Sequence, residues 1–397
     1  MRKIMILGAG IYQVPLILTA KRLGIYSIVV SIPGNYPGFE LADKVYYENT
    51  TDWEKILEIA KQEKIDGIVT AGTDVAVITI GKVCDEMGLC GLSYEGAQNA
   101  TNKILMKEVY EKYGVRTAKY RRIAFEDPDM FAKIDELTLP LIFKAVDSSG
   151  SRGITRVDSR EEFADAIASA KKYTRQKHFI VEEFIEGEEF GAQAFVYQGK
   201  VQFILPHGDY VFKGDTGVPI GHYVPYNLAP DIIEDAKVQL EKAIEAMKLD
   251  NCAINADFIL KDGKTYVLEL GGRSGATCLA ESVSIYYGFD YYEKILLAAL
   301  GEEELSFESD QCVPNASHLL MSSRDGVIRS ITNENQENPG IYEIQFDYGV
   351  GDEVHKFAIG PHRIGHVVTM GESLEEAQEL LWNTMGKIHI DVEEKAD

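Results

Sequence analysis

Residues 253–273, AINADFILKDGKTYVLELGGR, decide how this chain is read. Two apolar-rich runs flank a Lys-Asp-Gly-Lys turn, the composition of a β-hairpin. Each run carries one acidic side chain, Asp257 in the first and Glu269 in the second. Strand side chains alternate faces with period two, so the register decides whether those carboxylates meet. A three-residue loop at 262–264 sets Lys261 opposite Thr265 and Asp257 opposite Glu269, whereas a two-residue Asp262-Gly263 loop sends them to opposite faces. Like charges directly across a strand pair destabilise it unless a cation lies between them. Oxygen-only ligands suit Mg²⁺, which takes one or two carboxylates and fills its octahedron with water and phosphate oxygens. Taken alone, the stretch is better described as a solvated hairpin with an acidic outer face, and only the rest of the chain can overturn that.

Composition narrows the field. A length of 397 residues suits about two to three domains, and 45% apolar residues supply substantial cores. Sixty-three acidic against forty basic residues give a net charge of -23, which argues against nucleic acid or an anionic membrane as the main partner. The five cysteines lack CxxC spacing and read as reduced thiols of a cytoplasmic protein. The opening MRKIMILGAG has a signal-like start, but its apolar run ends in a Gly-rich turn and reads as a first strand. No stretch approaches the ~20 apolar residues of a membrane span. A soluble protein is expected.

The first hundred residues alternate strand and helix patterns, the signature of a parallel sheet covered by helices. Strands are expected at 3–7, 26–32, 65–70 and 90–92, with helices at 14–23, 51–63 and 75–87. Thr51 and Glu54 are placed as a capping box. Beyond Thr101 the pattern changes to α+β lobes with antiparallel hairpins: a helix at 103–113, strands at 139–144, 154–157 and 178–185, a turn at 198–200 and a helix at 231–247. Ser159 and Glu162 form a second capping box, for a helix reaching about Lys172. GEEELSFESDQ reads as a linker, and the remainder as a small α+β module with one helix at 374–383.

Several stretches carry chemistry. Gly8-Ala9-Gly10 invites a dinucleotide reading, but it lacks the third glycine and no acidic residue clearly ends the second strand. LPLIFKAVDSSGSRG (139–153) places Lys144 on a strand before a loop of small residues, whose N–H groups can surround phosphate. HFIVEEFIEGEEF (178–190) sets acidic residues on and after an apolar strand, where a purine could lie on the backbone edge and a carboxylate on ribose hydroxyls. Arg273, in ELGGRSGA, stands beside the acidic hairpin, able to hold an anion bidentately or to neutralise Glu269. Ala246-Met247-Lys248-Leu249 is similar to a biotin-attachment tetrapeptide, but the end of an amphipathic helix explains it.

In this order the stretches resemble the ATP-grasp superfamily over nearly the whole chain. The resemblance implies an α/β N-terminal pre-ATP-grasp (Rossmann-like) domain at 1–100, and a two-lobed α+β ATP-grasp domain at 101–300, its lobes about 101–182 and 183–300. A small α+β C-terminal module follows at 310–397. By resemblance, Lys103 in TNKILMKEVYEKYGV and Lys144 would hold ATP phosphate, with the loop residues Ser148, Ser149, Gly150, Ser151 and Gly153. Glu182 and the backbone of Glu183, Phe184 and Ile185 would meet adenine, and Glu189 the ribose. Asp257 and Glu269 would hold Mg²⁺, with Mn²⁺ as a substitute, and Arg273 the reacting acyl phosphate; Arg273 and Lys144 are the catalytic candidates. Many members have Asn two positions after the second acid; Gly271 here leaves the metal site one side-chain ligand short.

GPHRIGHVVTMGESLEEAQ near the C-terminus resembles the module of the L-amino-acid ligase and carnosine synthase branch. There ATP phosphorylates a carboxylate and an amine displaces the phosphate, so an ATP-dependent carboxylate–amine ligase acting on small molecules is expected. His207, Asp209, Lys213 and His222 in PHGDYVFKGDTGVPIGHYVP, with Ser274 and Gly275, are the candidate substrate residues. Dimers are common in the family. Three other readings compete: a bicarbonate-using carboxylase or carbamoyl-forming ligase, an inert nucleotide-binding protein, and an oxidoreductase resting on Gly8-Ala9-Gly10 alone.

Overall fold

A computed structural model describes residues 1–148, 152–213 and 217–394. Near the N-terminus, Lys3–Leu7 (β1), Tyr26–Ser31 (β2), Lys44–Tyr47 (β3) and Gly67–Val69 (β4) form a parallel sheet in the order β3-β2-β1-β4. Its central strand is buried from Ile4 to Leu7, as expected of a sheet covered on both faces. The helix Trp53–Glu63 begins one residue later than the capping-box reading placed it. Asp52, not Thr51, accepts from Lys55 N, because the acceptor must sit directly before the first turn. Residues 90–92 are not a strand; they lead into the helix Tyr94–Thr101, capped by Ser93, which the sequence pattern did not suggest.

The next sheet has the order β5-β8-β6-β7: Tyr120–Ala124 (β5), Leu141–Ala145 (β6), Ile154–Val157 (β7) and His178–Glu183 (β8). Ser159 and Glu162 bond each other through their side chains, 2.8 Å, but neither caps the helix Phe163–Tyr173, which a short 3₁₀ turn precedes.

A larger sheet of eight strands is built on Glu188–Tyr197 (β9), Lys200–Val211 (β10), Pro219–Val224 (β11), Cys252–Lys261 (β12) and Lys264–Gly271 (β13). The C-terminal strands are Asn315–Met321 (β14), Gly326–Asn333 (β15), Ile341–Phe346 (β16), Glu353–Val354 (β17), Arg363–Met370 (β18) and Ile388–Glu393 (β19). The order β13-β12-β9-β10-β11-β14-β18-β16 shows that the sheet runs on through β11 and β14 into the C-terminal residues. The strands β17-β15-β19 form a small sheet of their own. One apolar cluster joins Ile4, Ile6 and Leu16 of the N-terminal unit to Phe195, Phe203 and Tyr291 beneath the large sheet. Removing a buried ring such as Phe195 to Ala would cost about 3–5 kcal/mol.

The hairpin turn is the two-residue Asp262-Gly263 form, both residues at positive φ, with Lys261 opposite Lys264. That turn alone would separate the acids. A β-bulge at Leu268 shifts the register: Phe258 pairs with Val267, but Asp257 pairs with Glu269. The extra residue brings both carboxylates to one face.

Candidate active site

One row of residues crosses the sheet. Glu269 on β13 opposes Asp257 on β12, Asp257 opposes Gly191 on β9, and Gly191 opposes His207 on β10. Directly opposed residues share a face, so the two acids and His207 project together. Gly191 makes this row possible: a Cβ there would lie 2.2 Å from the imidazole Cε1 of His207. Asp209, two residues on, opposes His222 on β11, and its Oδ1 accepts from Nδ1 of His207 at 2.9 Å and of His222 at 2.6 Å. The three ligand atoms lie within 4.8 Å of one another. This nitrogen-rich set would suit a transition metal better than Mg²⁺.

Lysines reach this row from the other side of the cleft. The helix Lys103–Tyr113 is capped by Asn102, which accepts from the N–H groups of Ile104 and Leu105. Lys103 and Lys107, one turn apart, share a face. Lys103 Nζ donates to Glu269 Oε1 at 2.6 Å and to the Ser148 carbonyl at 3.1 Å. Lys107 lies 3.4 Å from Glu182 Oε1 and also donates to Thr117. Lys144 on β6 reaches Glu182 Oε2 at 2.9 Å, a diagonal neighbour because Ile142 pairs with Glu182. The Glu182 carboxylate is thus enclosed between two lysines. Glu183 accepts from Lys119 and from the Thr138 N–H, while Glu189 is exposed at the start of β9.

The charges shape one another. Burial and then the charge of Glu269 push the Asp257 carboxyl up to about 7. Its side chain touches solvent in the open cleft while protein crowds it at longer range, so solvent tempers that burial. Burial favours protonated Glu182, but Lys107 and Lys144 outweigh it and hold that carboxyl below its ordinary value. Burial lowers Lys107 to about 8 against the pull of Glu182, and it remains a cation at neutral pH.

Arg273 follows β13. Its Nε and Nη2 donate to both oxygens of Asp74, at 2.8 and 3.0 Å, and burial is outweighed so that Asp74 stays ionised. Asp74 lies in the loop after β4, so this fork ties the N-terminal unit to the acidic hairpin. Gln193 opposes Asn255, which opposes Gly271. Gln193 donates to Asn255 at 2.6 Å and accepts from the Gly275 N–H at 2.9 Å, fixing the loop after Arg273. An Asn thus stands across the strand pair from the glycine where many members carry one.

Of the expected residues, Asp257, Glu269, Lys103, Lys144, Ser148, Arg273 and His207 converge here. Gly153, at positive φ, returns the loop to β6 through its carbonyl, which accepts from Ala145 N at 2.9 Å. Ser149, Gly150 and Ser151 lie outside the described residues. Sequence reasoning missed Lys107, Asp74, Gln193 and Asn255. Lys107 was findable from its spacing to Lys103; the other three are joined to the site only by strand pairing or tertiary contact.

Among the described residues, three buried polar atoms in this region lack a hydrogen-bond partner: Tyr110 Oη, His207 Nε2 and Ser274 Oγ. Unpaired buried groups are costly and leave room for a water or ligand partner. The opposed carboxylates, stressed by like charge and offering only oxygen, fit a hard divalent cation. The Gly8-Ala9-Gly10 turn that invites a dinucleotide reading is filled from within the chain. Gln13 Oε1 accepts the Gly10 N–H, and Gln13 Nε2 donates to Ala71 at 2.6 Å, so the chain's own side chain closes the turn. Lys248 ends a helix and pairs with Glu95, 2.8 Å, unlike a biotinyl lysine at a hairpin tip.

Comparison with known proteins places the fold in a family. An ATP-grasp domain profile matches residues 137–281, and an L-amino acid ligase C-terminal domain 2 profile matches residues 318–393. The chain is 24% identical over 335 residues to alanine–anticapsin ligase of Bacillus subtilis (strain 168), covering 76% of this chain and 70% of that protein. A crystal structure of phosphoribosylglycinamide synthetase from Anaerococcus prevotii superposes with TM-score 0.86 at 36% identity, covering 99% of this chain and 100% of that one. L-amino acid ligase from Bacillus licheniformis shares the fold, with TM-score 0.81 at 20% identity over 99% of both chains. ATP-grasp enzymes use ATP with Mg²⁺, and no helix among the described residues is long and apolar enough to cross a membrane. The chain belongs to the ATP-grasp ligases, enzymes that form carbon–nitrogen bonds, in the branch that carries the L-amino acid ligase C-terminal domain.

Proposed function

We propose that this ligase activates a small carboxylate as an acyl phosphate and passes the acyl group to an amine, releasing ADP and phosphate. The observation that carries the reading is the opposed Asp257–Glu269 pair, with Arg273 at one end and Lys103 at the other. Asp257 and Glu269 would hold Mg²⁺, which when bound neutralises phosphate charge and orients the γ-phosphoryl group. Lys103 and Lys144 neutralise phosphate oxygens, and Lys103 exchanges its bond to Glu269 for one to ATP. Ser148 and Gly153, the described ends of the small-residue stretch, would stand beside the phosphates. The Glu182 carboxylate fixes Lys144, while the backbone at Glu183, Phe184 and Ile185 meets adenine and Glu189 the ribose. Arg273, held flat by Asp74, stabilises the charge on the reacting carboxylate and phosphoryl oxygens. His207, His222, Ser274 and Gly275 face the substrates.

The relatives' names offer two classes of amine: amino acids for the L-amino acid ligases, and phosphoribosylamine for a phosphoribosylamine–glycine ligase. The deciding experiment measures ADP and phosphate release from Mg-ATP across a matrix of carboxylates and amines. The expected result is release that needs both members of one pair. Release driven by bicarbonate alone would favour a carboxylase, and nucleotide binding without turnover for any pair would favour an inert binder.

A further inference from the structure

A cavity of about 880 Å³ adjoins the reacting end of the cleft. Three parts of the fold enclose it: Tyr12 and Pro15 at the start of the first helix, the loop 275–278 with the helix Leu279–Tyr287, and strands β16 and β18. The loop begins two residues after Arg273, and its Gly275 N–H is held by Gln193. The wall therefore reaches the point where an acceptor must attack.

The lining is apolar and acidic. Ile285, Phe289 and Tyr342 supply apolar surface, while the carboxylates of Glu281, Asp290, Glu343 and Asp347 face one guanidinium, Arg363, and one imidazole, His366. Both cationic candidates are engaged. Arg363 is 6% exposed, donates to Asp347 at 2.6 and 3.4 Å, and lies 5.4 Å from the centroid of the Tyr12 ring. His366 Nε2 pairs with Glu343 at 2.8 Å. Asp290 is matched by Arg22 at 2.7 Å. Glu281 differs: it accepts only the Tyr292 hydroxyl, at 2.9 Å, and among the described residues no cation bonds it.

We propose that this cavity receives the amine substrate of the ligase reading above. That amine is an unphosphorylated ammonium compound with an apolar body, drawn in by Glu281 and seated on Ile285, Phe289 and Tyr342. A phosphomonoester would bring two negative charges among four carboxylates, with the one guanidinium of the described lining already closed on Asp347, and is rejected. An ammonium gives Glu281 its missing counter-charge, and an apolar substituent covers the aromatic wall.

The test is calorimetric binding to the full chain in Mg-ADP, with phenethylamine, ethanolamine and O-phosphoethanolamine as probes. Phenethylamine should bind most tightly and O-phosphoethanolamine less tightly than ethanolamine. Glu281→Gln should weaken phenethylamine roughly tenfold, the loss of one desolvated charge pair. Asp347→Asn should free Arg363 and strengthen O-phosphoethanolamine binding, a gain that a misfolded variant could not produce. Tighter binding of O-phosphoethanolamine to the wild type, equal phenethylamine affinity in Glu281→Gln, or no amine binding overturns the proposal. The readout is heat of binding, so its failure leaves the turnover test of the ligase reading intact, and the reverse also holds.

Discussion

Asp257 carries the contradiction that an active site requires. Its carboxyl is pushed up to about 7, by burial first and by Glu269 second, so at pH 8 it is an ionised group in an unfavourable place. A folded-state pKa above the unfolded value near 3.9 means stability is greatest below the unfolded value and is lost as pH rises through 7. Replacing Asp257 with Asn should therefore raise the melting temperature of the metal-free protein at pH 8, by about 2 °C once solvent screening is allowed for, and leave it unchanged near pH 4. Mg²⁺ should reverse the order, stabilising the wild type but not the variant. A thermal-shift series in pH and Mg²⁺ checks this, and an Asp257→Asn variant less stable than wild type at pH 8 without metal contradicts it. Glu269→Gln should lower turnover by more than about a hundredfold with the fold intact, because it removes both a ligand and the partner of Lys103. Circular dichroism with ADP release separates the two effects.

At the scale of the strand, Gly191 shows how a missing side chain organises a site. Its Cβ position is filled by the His207 ring, which stands next to Asp257 across the sheet. Gly191→Ala should drive the imidazole from its place, costing about 1–3 kcal/mol by overpacking and breaking the His207–Asp209 bond. The expected reading is weaker substrate binding with Mg²⁺ affinity retained; unchanged substrate KM would show that His207 does not face the substrate. The hairpin marks how far sequence could go. The acids at 257 and 269, the turn composition and the apolar faces were all legible. The sequence tied the opposition of the acids to a three-residue loop and left the loop length open, whereas the structure obtains it from a two-residue turn and a bulge at Leu268. A bulge leaves no composition signal, since any residue can be the extra one. Lys144 was legible from its strand before a loop of small residues, and Lys103 from the resemblance of its helix to the one that opens the nucleotide-binding region of the superfamily.

Across the molecule, what sequence could not reveal is where distant segments meet. The alternating pattern of the first hundred residues disclosed a parallel sheet, but nothing in it marked Asp74 as the partner of a residue 199 positions away. That pair joins the N-terminal loop to the acidic hairpin, so the N-terminal unit helps build the candidate site as well as flanking it. Asp74→Ala would strip the fork from Arg273, leaving a largely buried guanidinium uncompensated and free to rotate. Stability should fall by about 2 kcal/mol, less than for a fully enclosed pair because both side chains keep some contact with solvent. Turnover should fall further, by roughly 10–100-fold, while KM for ATP changes little because Lys103 and Lys144 are untouched. Asp74→Glu, which keeps the charge but lengthens the arm, should recover stability more than kcat. The check is kcat and KM for ATP beside thermal unfolding in all three proteins. Normal kcat in Asp74→Ala would mean that Arg273 needs no such holder, and that the N-terminal unit contributes packing alone.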